Sequence, residues 1–271
     1  GCIETDWVTI YPEQIPGGDK LPQAIPGKPR PSGRLTPELT KVIDDANLPW
    51  KDSVKRDANG TLELELYTRG DKPQTALSVY PAVGNYQYEF LLGQVKFLLD
   101  EDGCDGFYID EFSQGWRGGQ IRTYVGWDGH SVDLDPRTGE IEREYVDCSL
   151  AGVQARLNLC KYALNRGKLV VANTYATAME EQALPIQRFS ETWGSFDPFA
   201  FADGEEPPAC TECFRGHLAT PIGLGIADAE GDQPVARRLM RAVITNLRHG
   251  MVYYHYSNEN WLSQGYGRPD Q

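Results

Sequence analysis

No stretch of this 271-residue chain approaches the roughly 20 consecutive apolar residues that a membrane-crossing helix requires, so no membrane span is expected. Positive charge is scarce: Lys and Arg total 26 against 39 Asp and Glu, a formal charge of -13. Such a surface repels phosphate backbones and anionic lipid, which excludes nucleic acid as a partner. The six cysteines, at 2, 104, 148, 160, 210 and 213, are too sparse for a disulfide scaffold. They permit a few bridges in an exported protein and buried thiols otherwise. The four histidines form no H-x-H or H-E-x-x-H pair, so no catalytic metal is assigned. "CTECFRGH" offers Cys210, Cys213 and His217 at zinc-like spacing, but three ligands without a second Cys-x-x-Cys leave a disulfide or a structural zinc open. "DGHSVDLDP" lacks the spacing of a calcium loop. No Gly-rich phosphate turn follows an early strand and no G-x-S-x-G elbow is present, so no cofactor and no serine nucleophile are expected. Nor does the chain open on a signal peptide: "GCIETDW" reads either as a lipoprotein cleavage scar or as a trimmed sequence.

What is present is the composition of a folded protein, 40% hydrophobic and 11% aromatic. The first 75 residues are rich in Pro and Gly and predict long loops, with short strands at "WVTIYP" (7–12) and "TLELELY" (61–67). From residue 77 the pattern becomes regular. "LSVYP" predicts a strand; Asn85 caps a helix with Leu91, Leu92, Val95, Leu98 and Leu99 on one face. "GFYIDEF" is the next strand, followed by a polar insertion whose "DPRTG" is good turn chemistry. A helix over 149–166 carries Val153, Leu157, Cys160 and Leu164 on one face and stops at Gly167. Strands at "KLVVANTY", "RFSETW", "HLATPIGLGI" and "MVYYHY" follow, with helices "ATAMEEQAL" and "PVARRLMRAVITNLRH" between them. This alternation predicts an α/β fold with a parallel sheet.

A doubly wound sheet and an eight-stranded (β/α)8 TIM barrel both fit the rhythm. The missing phosphate turn disfavours the first. The barrel is favoured because polar and aromatic residues cluster at the C-terminal ends of several strands, where barrels carry their active sites. The expected organisation is one domain over 1–271, loop-rich over 1–75 and carrying an insertion over 113–148. Only six strands are firm, so two must lie in the first third or outside this sequence.

"DGFYIDEFS" (105–113) places two adjacent carboxylates after an apolar strand. By alternation Phe107, Ile109 and Glu111 share one face, and Tyr108, Asp110 and Phe112 the other. Phe107 and Ile109 suit the helix-covered outside, which sends Tyr108 and Asp110 inward with Asp110 at the mouth. Asp110 reads as a catalyst or as a salt-bridged strand-end acid. General acid/base work on an acetal needs a second carboxyl, and Glu191 in "FSETW" closes a strand two units downstream. Trp193 shares its face and would serve as a plate for a sugar ring; Glu191 equally suits an ion pair with Arg188. Trp116 and Arg117, in the Gly-rich "QGWRGGQ", read as a substrate-facing lid.

"DGFYIDE", preceded by "LSVYPAVGNYQYEFLLGQVKFLLDEDGC", resembles the fourth strand of TIM-barrel glycoside hydrolases, most in the style of the α-galactosidase-like group. Counting "LSVYP" as strand three, the resemblance implies Asp110 after strand four as nucleophile and Glu191 after strand six as acid/base. That group usually has Asp at the second position, and its Lys-containing strand-four motif is not evident here. "WDGHSVDLDPRTGEI", "VVAN", "RFSET" and "TPIGLG" also resemble uncharacterised bacterial glycosidase-like barrels. The expected function is therefore hydrolysis of a poly- or oligosaccharide. Asp110 and Glu191 are the pair, Glu111 the reserve catalyst, and Tyr108, Trp116, Arg117, Asn173, Tyr175, Trp193 and His255 line the substrate. The carbohydrate substrate is the one partner expected, secretion or a periplasmic location follows from that class, and oligomeric state has no signal. The rival readings are a non-catalytic glycan-binding barrel and a metal-dependent hydrolase on the same fold.

Overall fold

Apolar residues at every second position mark the strands of the computed structural model, and their spacing matches the faces that are buried. Phe107 and Ile109 are buried on one such strand while Tyr108 and Asp110 between them are half-buried. The structure describes residues 1–23, 32–69, 72–113, 121–174, 178–191, 215–220, 244, 247–248 and 250–253. In chain order these include strands β1 (Cys2–Glu4), β2 (Trp7–Ile10), β3 (Ser32–Arg34), β4 (Glu63–Arg69), β5 (Lys72–Ser78), β6 (Gly106–Asp110) and β7 (Arg122–Thr123). There follow β8 (Val132–Leu134), β9 (Ile141–Glu144), β10 (Val146–Asp147), β11 (Leu169–Asn173), β12 (Gln187–Glu191), β13 (Leu218–Thr220) and β14 (Val252–Tyr253). The helices are α1 (Pro37–Asp45), α2 (Tyr86–Lys96), α3 (Cys148–Ala151), α4 (Val153–Leu164) and α5 (Met179–Gln182). The chain divides into two compact units, Gly1–Leu169 with Ala176–Leu184, and Val170–Tyr175 with Pro185–Gln271.

In the first unit β1 lies parallel to β6, and α2 precedes β6 in the connection between them. Between β1 and α2 the chain builds an antiparallel sheet in the order β2-β5-β4-β3. Its core holds Ile10, Leu35, Ile43, Trp50, Leu62, Leu64 and Leu77. This region differs from the long loops that its Pro and Gly content predicts. Pro37 occupies the first turn of α1 after the Thr36 cap, where a missing N–H costs nothing. The alternating Leu62, Leu64 and Leu66 meet β5, with Leu64 in register with Leu77. The first two residues of "LSVYP", Leu77 and Ser78, thus end β5, which is antiparallel to β2 and β4 rather than a parallel strand.

Helix α2 starts where expected: the Asn85 side chain accepts from the Tyr88 N–H at 3.0 Å. It buries Leu91 and Val95 and leaves Phe90 exposed, and the π-helical turn Phe97–Glu101 that follows buries Leu99 and leaves Phe97 exposed. Gly106, which opens β6, cannot be replaced without movement, since a Cβ there would lie 2.3 Å from the Leu169 carbonyl oxygen. After β6 come the β7–β10 pair and the β8–β9 hairpin, both antiparallel. Helix α4 ends at Leu164, and three residues on, Gly167, at φ +68°, lets the Lys168 N–H reach back to the Ala163 carbonyl at 3.0 Å.

In the second unit β11, β12, β13 and β14 pair in that order, all parallel. Val170, Ala172 and Phe189 are buried, in keeping with a sheet covered on both faces. Among the described residues no helix is long and apolar enough to cross a membrane.

Candidate functional site

The C-terminal ends of β1 and β6 bring four carboxylates together. Glu4 stands in register with Asp110 across the parallel pair, so the two side chains leave the sheet on the same side. Thr5 ties the strand ends, its hydroxyl donating to the carbonyls of Glu111 at 2.8 Å and Asp110 at 3.1 Å. Gln87 of α2 donates its side-chain amide to the carbonyls of Glu4 and Thr5. These bonds hold Glu4, Asp6, Asp110 and Glu111 in one place although they come from two distant stretches of chain.

Crowded carboxylates cannot all ionise. Burial is the largest influence on Glu4, followed by the charges of Asp6 and Asp110, a hydrogen bond that Glu4 donates to Asp6 and the charge of Glu111. All of these push its pKa far above the usual carboxylate range, so Glu4 is a neutral carboxylic acid at physiological pH. Its Oε1 is buried with no hydrogen-bond partner among the described residues. An acid whose pKa is held this high keeps its proton, so beside Asp110 Glu4 is suited to donating a hydrogen bond rather than to giving the proton up.

β6 stops at Asp110 for a visible reason. The Asp110 Oδ1 accepts the backbone N–H of Glu111 at 3.1 Å, and Glu111 turns to φ +50°. Alternation therefore fails beyond Asp110: Glu111 is buried, and Phe112, expected on the face of Asp110, is fully buried. Phe112 lies under the guanidinium of Arg156, 5.6 Å from the ring centroid. Arg156 is itself fully buried and pairs with the equally buried Glu181 at 2.5 Å. Glu181 in turn accepts the Ala178 N–H, at the start of α5.

The second unit repeats the strand-end device. Asn173 closes β11, is buried, and accepts the Thr174 N–H on Oδ1 at 2.9 Å, while Thr174 sits at φ +74°. Glu111 and Thr174 are two of three non-glycine residues with positive φ among the described residues, and such outliers gather at functional sites. Glu191 is the last residue of β12, in register with Thr220 of β13.

Of the residues read from sequence, Asp110, Glu111 and Tyr108 fall on or just after β6, and Tyr108 is half-buried on the Asp110 side of that strand. Asn173 and Glu191 end parallel strands of the other unit. Trp116, Arg117, Tyr175, Trp193 and His255 lie outside the described residues. Glu4 and Asp6 were not singled out by the sequence reading. Their signal was the alternation of "IETD" directly after an apolar residue, the same strand-end pattern as "YIDE".

The His217 Nδ1 accepts the Arg188 N–H at 3.1 Å, and burial, then the charge of Arg188, lower its pKa so that the ring is neutral. Cys210 and Cys213 lie outside the described residues. Burial raises the Cys148 and Cys160 thiols to about 12, far from a reactive thiolate. No protein-family model, curated protein or solved structure matches the chain.

Proposed function

We propose that this protein is a glycoside hydrolase, with its parallel strands belonging to a (β/α)8 barrel and its active site at their C-terminal ends. The observation that carries the reading is the in-register pair of Glu4 and Asp110, two carboxyls on adjacent strand ends, one of them kept neutral. Glycosidic bond cleavage needs that division of labour, an acid to protonate the leaving oxygen and a carboxylate to attack the anomeric carbon or to activate water. Asp110 is assigned as the nucleophile, or as the base if the enzyme inverts, and Glu191 as the general acid/base, with Glu111 in reserve. Glu4, held protonated, is placed to donate a hydrogen bond beside Asp110. Tyr108 and Asn173, with Trp116, Arg117, Tyr175, Trp193 and His255, are assigned to the sugar. A polysaccharide substrate fits an exported enzyme.

The test is hydrolysis of a panel of aryl glycosides by the full chain, with the product anomer followed by NMR. Asp110→Asn is expected to lower the rate at least 1,000-fold without altering the fold, and chelator is expected to leave the rate unchanged. Full activity in Asp110→Asn would remove the assignment. Activity abolished by chelator would favour a metal-dependent hydrolase, and saturable glycan binding with no turnover would favour a binding barrel.

A further inference from the structure

The insertion after β6 carries an aromatic side chain that the proposed chemistry does not use. Trp127 is 50% exposed, yet it is not loosely held: its indole N–H donates to the Ser131 carbonyl at 3.1 Å. The loop beneath it is pinned by Asp128, whose carboxylate accepts from the backbone N–H groups of His130, Ser131 and Asp147 and from the Ser131 hydroxyl, at 2.7 to 2.9 Å. Burial works against ionised Asp128, but these four donors outweigh it and hold the carboxyl at about 2, so the clamp persists across the physiological range. Gly126 and Gly129 bracket the pair "WD" at φ +85° and +86°, conformations that L side chains rarely adopt.

A loop built this firmly could have turned its Trp inward. Instead it fixes an indole that is half exposed and whose polar edge is already satisfied. Elsewhere in the same insertion Tyr124 and Tyr145 pack with centroids 5.7 Å apart, Arg122 lies 4.9 Å over the Tyr145 ring, and Asp133 accepts from the Tyr124 hydroxyl at 2.7 Å. This is a rigid aromatic cluster with hydrogen-bonding groups around it.

We propose that Trp127 is a stacking platform for a neutral sugar ring of a polysaccharide, a glycan-binding site carried by the insertion itself. An indole face with its N–H already used offers apolar stacking and no hydrogen bond, which matches the C–H face of a pyranose. Residues 121–148 carry seven carboxylates against three arginines, so uronic or sulfated chains are repelled and a neutral glycan is selected. The proposal rests on the carbohydrate-active reading given above and goes beyond it in naming a site for the polymer rather than for the bond cleaved.

Affinity electrophoresis of the full chain, in an Asp110→Asn background that spares the polymer, tests it with galactomannan, xylan and amylose as neutral probes and polygalacturonate as the anionic one. At least one neutral polysaccharide is expected to retard the protein, with Trp127→Ala weakening binding tenfold or more, Trp127→Tyr retaining most of it, and polygalacturonate having no effect. Circular dichroism of both variants checks the fold, and Trp127→Tyr against Trp127→Gln keeps the comparison should Trp127→Ala unfold. Retardation unchanged by loss of the indole, by polygalacturonate alone, or by no neutral polysaccharide at all would overturn the proposal. Trp127-dependent binding without hydrolysis of any substrate by the native chain overturns only the glycosidase reading. Hydrolysis of aryl glycosides with Trp127-independent polysaccharide binding overturns only the platform.

Discussion

The ends of β6 and β11 use one backbone device for different electrostatics. At each, the final side chain accepts the next residue's N–H, at 3.1 Å for Asp110 and 2.9 Å for Asn173, and that next residue has positive φ. At β6 the acceptor is a carboxylate with Glu4 in register beside it and Asp6 close by; at β11 it is a neutral amide in register with Phe189. The turn is a scaffold that can present either an acid or an amide. What differs is charge, so the β6 end is suited to proton transfer and the β11 end to hydrogen bonding without ionisation.

The strongest way to break that contrast is to make the two ends alike. Asp110→Asn gives β6 the side chain of β11, and the at least 1,000-fold loss of hydrolysis expected of it corresponds to about 4 kcal/mol of barrier. Thermal denaturation should show the fold unaffected. If hydrolysis survives, the contrast has no catalytic meaning.

Removing the support behind the β6 end comes next. Arg156→Ala would leave Glu181 buried without its partner, at a cost of about 3–5 kcal/mol in urea denaturation. The double variant Arg156→Met, Glu181→Leu should recover most of it, because no lone charge is left behind. A single-variant cost below about 1 kcal/mol would mean that the pair does not hold this region together. The reciprocal exchange, Asn173→Asp, places a carboxylate in a buried site and should destabilise by about 1–3 kcal/mol at pH 7, less at pH 4 where the acid is protonated.

The Glu4 proton makes a pH prediction with a definite sign. An unfolded Glu titrates near about 4.3, whereas folded Glu4 keeps its proton to much higher pH. Below the unfolded value both states are protonated. Above it the folded chain binds the extra proton, so stability falls as pH rises, with a slope of up to about 1.4 kcal/mol per pH unit. Glu4→Gln should flatten this slope between pH 5 and 7 in urea midpoints; an unchanged slope would show that Glu4 ionises normally. The smallest effect concerns strain. Thr174→Gly should be neutral or stabilising by up to about 1 kcal/mol, since a β-branched residue pays for φ +74° and glycine does not.

Much of the local structure was legible. The alternation of "GFYID", the Asn85 cap and the Gly167 stop each depend on residues within a few positions of one another, and each stands where the pattern put it. Less of the site was. Alternation separated Glu111 from Asp110 by assuming extended backbone one residue too far, and the left-handed turn at Glu111 ends that assumption. The strands at 7–12 and 61–67 are legible in the sequence, but their assembly into one antiparallel sheet is not, because its evidence is the pairing of Leu64 with Leu77, which no short window contains. Glu4 was missed because a three-residue strand has too little pattern to announce itself.

The order of residues alone accounts for the acidic balance, for the alternation of buried and half-buried positions along β6, and for where α2 begins. These follow from neighbours two, three or four positions apart, whose geometry the backbone supplies directly. Proton affinity is different, because it depends on every charge and every solvent molecule within a few ångströms through space. Glu4 becomes a neutral acid only when folding brings it beside Asp110 and excludes water, and the hydroxyl of Thr5 closes that gap to residues 105 and 106 positions along the chain.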